Sequence, residues 1–231
     1  MRWTTDMQSE ETILPFSLKY DATHCQAYFD KHRASASRRV SNYLEQRMAN
    51  KALQLATNVS SCLDLPCGTG RFWDRLFLSG VQDLIAADYS YDMLNLAARV
   101  RPLEQLKKTK LLRTSAFAID LPDQSVDLLF CMRLLHHIGM PEDRSTILKE
   151  FSRVARGEIL VSLWVDGNLQ ASRRKKQEAK RARTSYQNRF IVPADQFEAE
   201  VTLGAGLEIV GHVDLLPGIS MWRTYILRPV Y

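Results

Sequence analysis

The sequence predicts an α/β protein. Its expected core is a seven-stranded, mostly parallel sheet with helices on both faces and an antiparallel hairpin at the C-terminal end. Three observations carry that expectation. Short apolar runs alternate with helix-length amphipathic segments between residues 61 and 164, the order of successive βαβ units. The run Glu158–Trp164 is apolar almost throughout, as suits a central strand buried on both faces. Finally, Leu207–Leu215 and Trp222–Leu227 are joined by a short Leu216-Pro217-Gly218 connection, which fits antiparallel pairing and is too short for a parallel crossover.

The elements follow in order. Residues 1–18 show no period and read as a loose tail, while 19–231 read as one domain. A helical cap is expected over about 20–57. Its main helix covers about 35–56, where Val40, Tyr43, Leu44, Met48 and Ala52 recur near helical spacing. A strand over 61–65 leads to a helix at 71–79, a strand at 83–88 and a helix at 91–100 that stops near Pro102. Strands are expected at 111–118 and 126–132. Pro141 suits a first helical turn, Ile147, Leu148, Phe151, Val154 and Ala155 form the apolar face, and Gly157 ends that helix. Residues of about 168–190 supply no apolar stripe and read as a basic lid or loop, either a mobile helix or disordered chain. Pro193-Ala194-Asp195 then opens a helix that buries Phe197 and Val201.

Composition narrows the class. A hydrophobic content of 45% supports a sizeable core, and a charged content of 25% is ordinary. No stretch approaches a membrane span, and the N-terminus has no apolar leader. The four cysteines, Cys25, Cys62, Cys67 and Cys131, make no Cys-x-x-Cys pair. They read as free thiols of a reducing, cytoplasmic compartment, with no metal site expected. The net charge of +5 is concentrated: residues 171–189 hold eight basic side chains against Glu178 alone, a local +7 that leaves −2 for the rest of the chain.

The chemistry centres on one turn. Residues 61–65 deliver Pro66-Cys67-Gly68-Thr69-Gly70 at the end of a strand, a helix follows, and the next strand ends on Asp88. Gly68 and Gly70 let the backbone bend and approach a ligand with no Cβ in the way. Asp88 can accept two hydrogen bonds from vicinal ribose hydroxyls. This is the order in which an α/β protein binds an adenosyl ligand. A dinucleotide is disfavoured, because the third glycine of Gly-x-Gly-x-x-Gly is replaced here by Trp73.

Leu63-Asp64-Leu65-Pro66-Cys67-Gly68-Thr69-Gly70 resembles motif I of the class I S-adenosylmethionine (SAM) dependent methyltransferases. Ala86-Ala87-Asp88-Tyr89-Ser90-Tyr91-Asp92-Met93-Leu94 resembles their motif II. Ala118-Ile119-Asp120-Leu121-Pro122-Asp123, Leu134-Leu135-His136-His137-Ile138 and Arg153-Val154 follow in the family's order. The likeness covers roughly 60–165 and is similar to the broad small-molecule branch that includes quinone-biosynthesis methyltransferases. It implies a Rossmann-like fold, SAM as cofactor and methyl transfer to an oxygen or nitrogen of a small or conjugated acceptor, anionic ones included. By resemblance, Asp64 orients the SAM ammonium, Gly68, Gly70 and Asp88 hold the adenosyl part, and Tyr89 and Met93 flank the adenine.

The chain also departs from the pattern. Pro66 stands where a first glycine is common, removing a backbone donor and stiffening the turn. Phe117 replaces the acid that usually accepts from the adenine amino group, which leaves the Ala118 amide, with Asp120 as an alternative. Arg133 ends strand 4 and can hold the SAM carboxylate or an anionic acceptor. His136 and His137 are candidates for a general base. No Asn/Asp-Pro-Pro-Tyr/Phe follows strand 4, and the Pro66-Cys67 pair lies inside the cofactor turn, so nucleobase chemistry is not favoured. Two alternatives stay open: an RNA or protein methyltransferase docking through 173–189, and a SAM-binding partner subunit without catalysis.

Overall fold

A computed structural model of the protein describes residues 35–57, 59–180 and 188–230. The expected tail at 1–18, the first part of the cap and residues 181–187 of the basic segment lie outside the described residues. Among the described residues the first element is helix α1, Ala36–Leu53, started by Ser35, whose side chain accepts from the Arg38 amide. Its buried face differs from the expected one. Val40 and Tyr43 are exposed, whereas Glu45, Met48, Ala49, Ala52 and Leu53 are buried.

Seven strands make one sheet: β1 Ser61–Asp64, β2 Asp83–Asp88, β3 Thr109–Arg113, β4 Val126–Cys131, β5 Ala155–Trp164, β6 Leu207–Asp214 and β7 Trp222–Pro229. Their order is β3-β2-β1-β4-β5-β7-β6. The first five run parallel, while β7 pairs antiparallel with both β5 and β6, as the short connection required. Asp64 lies level with Ala86 of β2 and Phe130 of β4. Chain order reverses between β1 and β4, and in such sheets ligands bind at the carboxyl ends beside that point.

Helices cover both faces. They are α2 Trp73–Leu78, α3 Tyr91–Val100, the one-turn α4 Leu103–Leu106, α5 Pro141–Val154, α6 Leu169–Ala179 and α7 Ala194–Ala199, which runs into a π turn at Glu200–Gly204. One core packs α5 and α7 against the sheet through Ile147, Leu148, Phe151, Phe197 and Val201. The opposite core packs α1 to α3 through Ala49, Leu53, Trp73, Leu76, Leu94 and Ala97.

Two boundaries differ from the sequence expectation. Strand β3 stops at Arg113, not residue 118, because side chains claim the chain beyond it. The Thr114 hydroxyl donates to the Ala118 carbonyl at 3.1 Å and accepts the Asp120 amide at 2.9 Å. Arg153 then donates to the carbonyls of Ile119 and Leu121, each at 2.8 Å. Gly157 does not end α5. It lies inside β5, where a Cβ would collide with the Asp127 carbonyl. Of the two alternatives for the basic segment, a helical lid or a disordered loop, the described residues hold a helix, α6, in which only Ala171 is buried.

Arg144 ties helix α5 to the Ile138–Gly139 loop and the π turn. Its guanidinium is almost fully buried, is paired through two nitrogens with Glu200 and donates to the carbonyls of Ile138 (2.9 Å) and Gly139 (3.0 Å). Removing one partner strands a buried charge. Arg144→Ala is therefore expected to destabilise the fold by about 3–5 kcal/mol in urea unfolding, more than Lys149→Ala on the same helix.

Candidate active site

The turn after β1 is held by backbone bonds before any ligand is considered. The Cys67 amide donates to the Ala87 carbonyl at 2.8 Å, and the Gly70 amide donates to Cys67 at 2.9 Å. Leu65–Pro66 is a cis peptide. Gly68 (φ 53°) and Gly70 (φ 73°) both take left-handed conformations that favour glycine. Their reasons differ. At Gly68 nothing lies within 4 Å of where a Cβ would be, so the turn presents open backbone. At Gly70 a Cβ would come 2.7 Å from the Trp73 ring.

Trp73 does more than exclude a dinucleotide. Its indole N–H donates to Asp64 at 3.1 Å, so the buried Asp64 carboxylate is gripped from the helix that follows the turn. Burial pushes the Asp64 carboxyl well above the ordinary range, against the pull of the Trp73 bond, and nearby Asp88 adds to the rise. Asp88 ends β2 and accepts the Gly68 amide and the Ser90 amide, each at 2.9 Å. Burial raises its pKa to about 6, with the amides of Ser90, Gly68 and Tyr89 pulling the other way. Ser90 also starts α3 by accepting the Met93 amide at 3.3 Å. Met93 is buried, and Tyr89 is half-buried with the Arg113 guanidinium 5.0 Å from its ring. Ala118 is exposed and its amide donates to the Ser115 carbonyl at 3.3 Å, while Asp120 points to solvent. The adenine side is thus the least furnished part of the expected set.

Arg133 follows β4 with a left-handed φ of 68°, and its amide donates to the Ser162 hydroxyl at 2.9 Å. One guanidinium nitrogen meets both oxygens of Glu45, at 3.0 and 2.9 Å. Glu45 also pairs with Arg71 at 3.0 Å. Burial alone would raise the Glu45 carboxyl, but the two arginines outweigh it and hold it below the ordinary range. Asn42 and Gln46 add bonds to Arg71, at 2.7 and 2.9 Å. Helix α1 is thereby latched to both the glycine turn and the end of β4.

Beyond β4 and β5 an aromatic group gathers. His136 is buried, with its ring centroid 4.0 Å from His137 and 4.8 Å from both Trp164 and Trp222. Trp164 and Trp222 face each other across the β5–β7 ladder. Among the described residues, neither His136 nitrogen nor the Trp164 indole N–H has a hydrogen-bond partner. Burial, His137 and nearby arginines keep His136 well below the usual histidine pKa. His137 Nδ1 meets the Asn188 carbonyl, which can only accept, so Nδ1 carries the proton and Nε2 the lone pair. Burial, with Arg189 and Arg133, lowers the His137 pKa to about 4 against the effect of that bond. Arg174 lies 4.5 Å over Trp164, and Arg133 lies 5.1 Å over Trp222.

Residues 63–161 match the model of a methyltransferase domain family. An uncharacterised methyltransferase-like protein of Schizosaccharomyces pombe is 32% identical over 102 residues, which are 44% of this chain and only 36% of that relative. Magnesium protoporphyrin IX methyltransferase of Synechocystis, solved with S-adenosylhomocysteine (SAH) bound, superposes with a TM-score of 0.66 at 14% identity, covering 91% of this chain and all (100%) of that one. A SAM-dependent methyltransferase of Clostridium acetobutylicum gives 0.66 at 14% identity, over 90% and 100% of the two chains. Over residues 63–161 the chain is thus similar to a methyltransferase domain, and its fold is that of the SAM-dependent methyltransferases it superposes on.

Within the matched region the structure brings Asp64, Gly68, Gly70 and Asp88 together at the carboxyl ends of β1 and β2. It sets Arg133, His136 and His137 beyond β4. Sequence reasoning missed Glu45, Trp73 as a donor, and the Trp164–Trp222 pair. Glu45 had a faint signal, an acid placed among the helix residues that face the core. The tryptophans had none, since their strands are 58 residues apart in sequence number at the contact. The two glycines should separate experimentally. Gly68→Ala is expected to cost about 1–2 kcal/mol from its left-handed conformation alone. Gly70→Ala should cost a further 1–3 kcal/mol, roughly, because the Trp73 ring must move. Urea unfolding of the two variants checks the order.

Proposed function

We propose that this chain moves the methyl group of SAM to an oxygen or nitrogen of a small or conjugated acceptor. The single observation that carries the reading is the Asp88 carboxylate beside the open backbone of Gly68, at the carboxyl end of β2. The residues fit the cofactor. Gly68 leaves room where any side chain would intrude, Asp88 is an acceptor for ribose hydroxyls, and Asp64 lies at the end of the neighbouring strand for the ammonium. SAM supplies a methyl already activated on a sulfonium.

The remaining work belongs to the chain. It must hold the acceptor atom in line, exclude water and remove a proton where the acceptor carries one. His137 suits the last task, because Asn188 fixes its tautomer and leaves Nε2 able to accept. Its pKa of about 4 keeps it neutral at physiological pH but makes it a weak base, so a bound acceptor must raise that pKa before His137 takes the proton. His136, enclosed by rings, supports the stack behind it. Arg133, held by Glu45 and lying over Trp222, brings a positive field to the acceptor side.

Asp88 sets a pH dependence whose sign is fixed. Its folded pKa of about 6 exceeds the ordinary 3.8, so between those values the folded state binds more protons than the unfolded state. Stability of the ligand-free protein therefore falls as pH rises through that window and is level above it. Cofactor binding runs the other way, because only the ionised carboxylate accepts from both hydroxyls. Calorimetric SAH affinity is expected to be level above about pH 7 and to weaken below about pH 6. Asp88→Asn should weaken binding by about 1.5–3 kcal/mol at pH 7.5 and remove the pH dependence. Equal affinity of variant and parent would reject the assignment. Labelled-methyl transfer into separated metabolite, protein and RNA fractions then tests the acceptor class.

A further inference from the structure

Helix α6 is polar nearly all round and buries only Ala171, so core formation does not account for it. It is nonetheless firmly attached. Asn168 accepts the Ala171 amide at 2.9 Å. The amides of Leu169 and Gln170 donate to Gly218 and Ile219, at 3.1 and 2.9 Å, and Gln170 Oε1 accepts from Ser220 and Met221, each at 3.2 Å. These bonds lock α6 to the β6–β7 connection as one unit. The charges that turn towards the body are occupied: Arg174 pairs with Glu178 at 2.7 Å and Lys175 with Asp166 at 3.2 Å.

The opposite side of the helix is different. Leu169, Arg173, Lys176 and Lys180 recur at i, i+4, i+7 and i+11, which places them on one line. All four are exposed, and the three cations make no ion pair among the described residues. At the leucine end of that line sits the β6–β7 connection. Hairpin connections are usually polar, yet this one reads Leu215-Leu216-Pro217-Gly218-Ile219. Leu169, Leu216 and Ile219 are 57, 39 and 55% exposed and joined by the hydrogen bonds just given, so they make one apolar tip.

An apolar tip continuous with a row of cations fits one environment well. Apolar side chains enter the boundary of headgroups and acyl chains while lysine and arginine meet lipid phosphates. A nucleic-acid backbone would use the cations and leave the leucines idle. We propose that the outer face of α6 and the β6–β7 turn dock this protein on an anionic lipid bilayer. The inner face of the same helix carries Arg174 over Trp164. If the methyltransferase reading holds, on which this last step rests, the acceptor is a membrane-borne lipid or lipid-linked molecule.

The test is co-sedimentation with vesicles of phosphatidylcholine alone and of phosphatidylcholine mixed with phosphatidylglycerol, without cofactor. The mixed vesicles should bind the protein, the neutral ones should not, and salt should weaken binding. The triple variant Arg173→Ser, Lys176→Ser, Lys180→Ser should lose affinity on the order of a hundredfold. Leu169→Ser with Ile219→Ser should lower the binding that persists at high salt, which a purely electrostatic contact would leave unchanged. Circular dichroism and SAH calorimetry establish that each variant stays folded. No binding to mixed vesicles at low ionic strength overturns the proposal. So does tight binding of labelled single-stranded RNA that the triple variant loses while vesicle binding is unchanged. A failure of SAH binding would reject the methyltransferase reading and leave the vesicle result standing.

Discussion

The Asp88 carboxylate, buried at the end of β2, accepts one amide from the glycine turn of β1 and another from the start of α3. The Ser90 bond is local, two residues along the chain, while the Gly68 bond reaches twenty residues back and ties the glycine turn to the end of β2. They hold Gly68 with its open side outward, and they leave the end of β2 and the start of α3 a fixed distance from that turn. The cost is a desolvated negative charge, visible as a pKa raised to about 6. A ligand that donates hydroxyl hydrogens to this carboxylate would relieve part of that cost.

A second constraint comes from outside the sheet. Glu45 of α1 meets Arg71 beside the glycine turn and Arg133 at the end of β4. A buried carboxylate between two guanidinium groups is tolerated because each charge offsets the others' desolvation. The result is that α1 cannot shift without disturbing both the glycine turn and the end of β4. Arg133 in turn rests on Trp222, and Trp222 packs against Trp164 and His136. Order therefore passes from the N-terminal helix through one ion-pair cluster to the aromatic group beyond β5.

Helix α6 shows the reverse relation between burial and role. Its sequence lacks an apolar stripe, which argued for a mobile lid or a disordered loop. The helix exists because hydrogen bonds to the β6–β7 connection and a single buried alanine substitute for a hydrophobic face. Such anchoring leaves most of its surface available for a partner.

The strand segments, the glycine turn, Asp88 and the antiparallel ending were legible in the chain because each rests on local rules: side-chain period, the steric freedom of glycine, and connection length. Boundaries set by long-range side-chain bonds were not. Strand β3 stops early because Thr114 and Arg153 claim the chain after it, and Gly157 belongs to a strand because Asp127 passes beside it. The candidate site divides the same way. Asp64, Gly68, Gly70 and Asp88 stand in a short ordered motif, so sequence alone named them. That Asp64 is held by Trp73, that Arg133 is held by Glu45, and that His136 stacks on two tryptophans only the tertiary structure decided. Those contacts join residues from separate elements, and nothing in the local pattern of either partner specifies which distant side chain will complete its charge, its hydrogen bond or its ring stack.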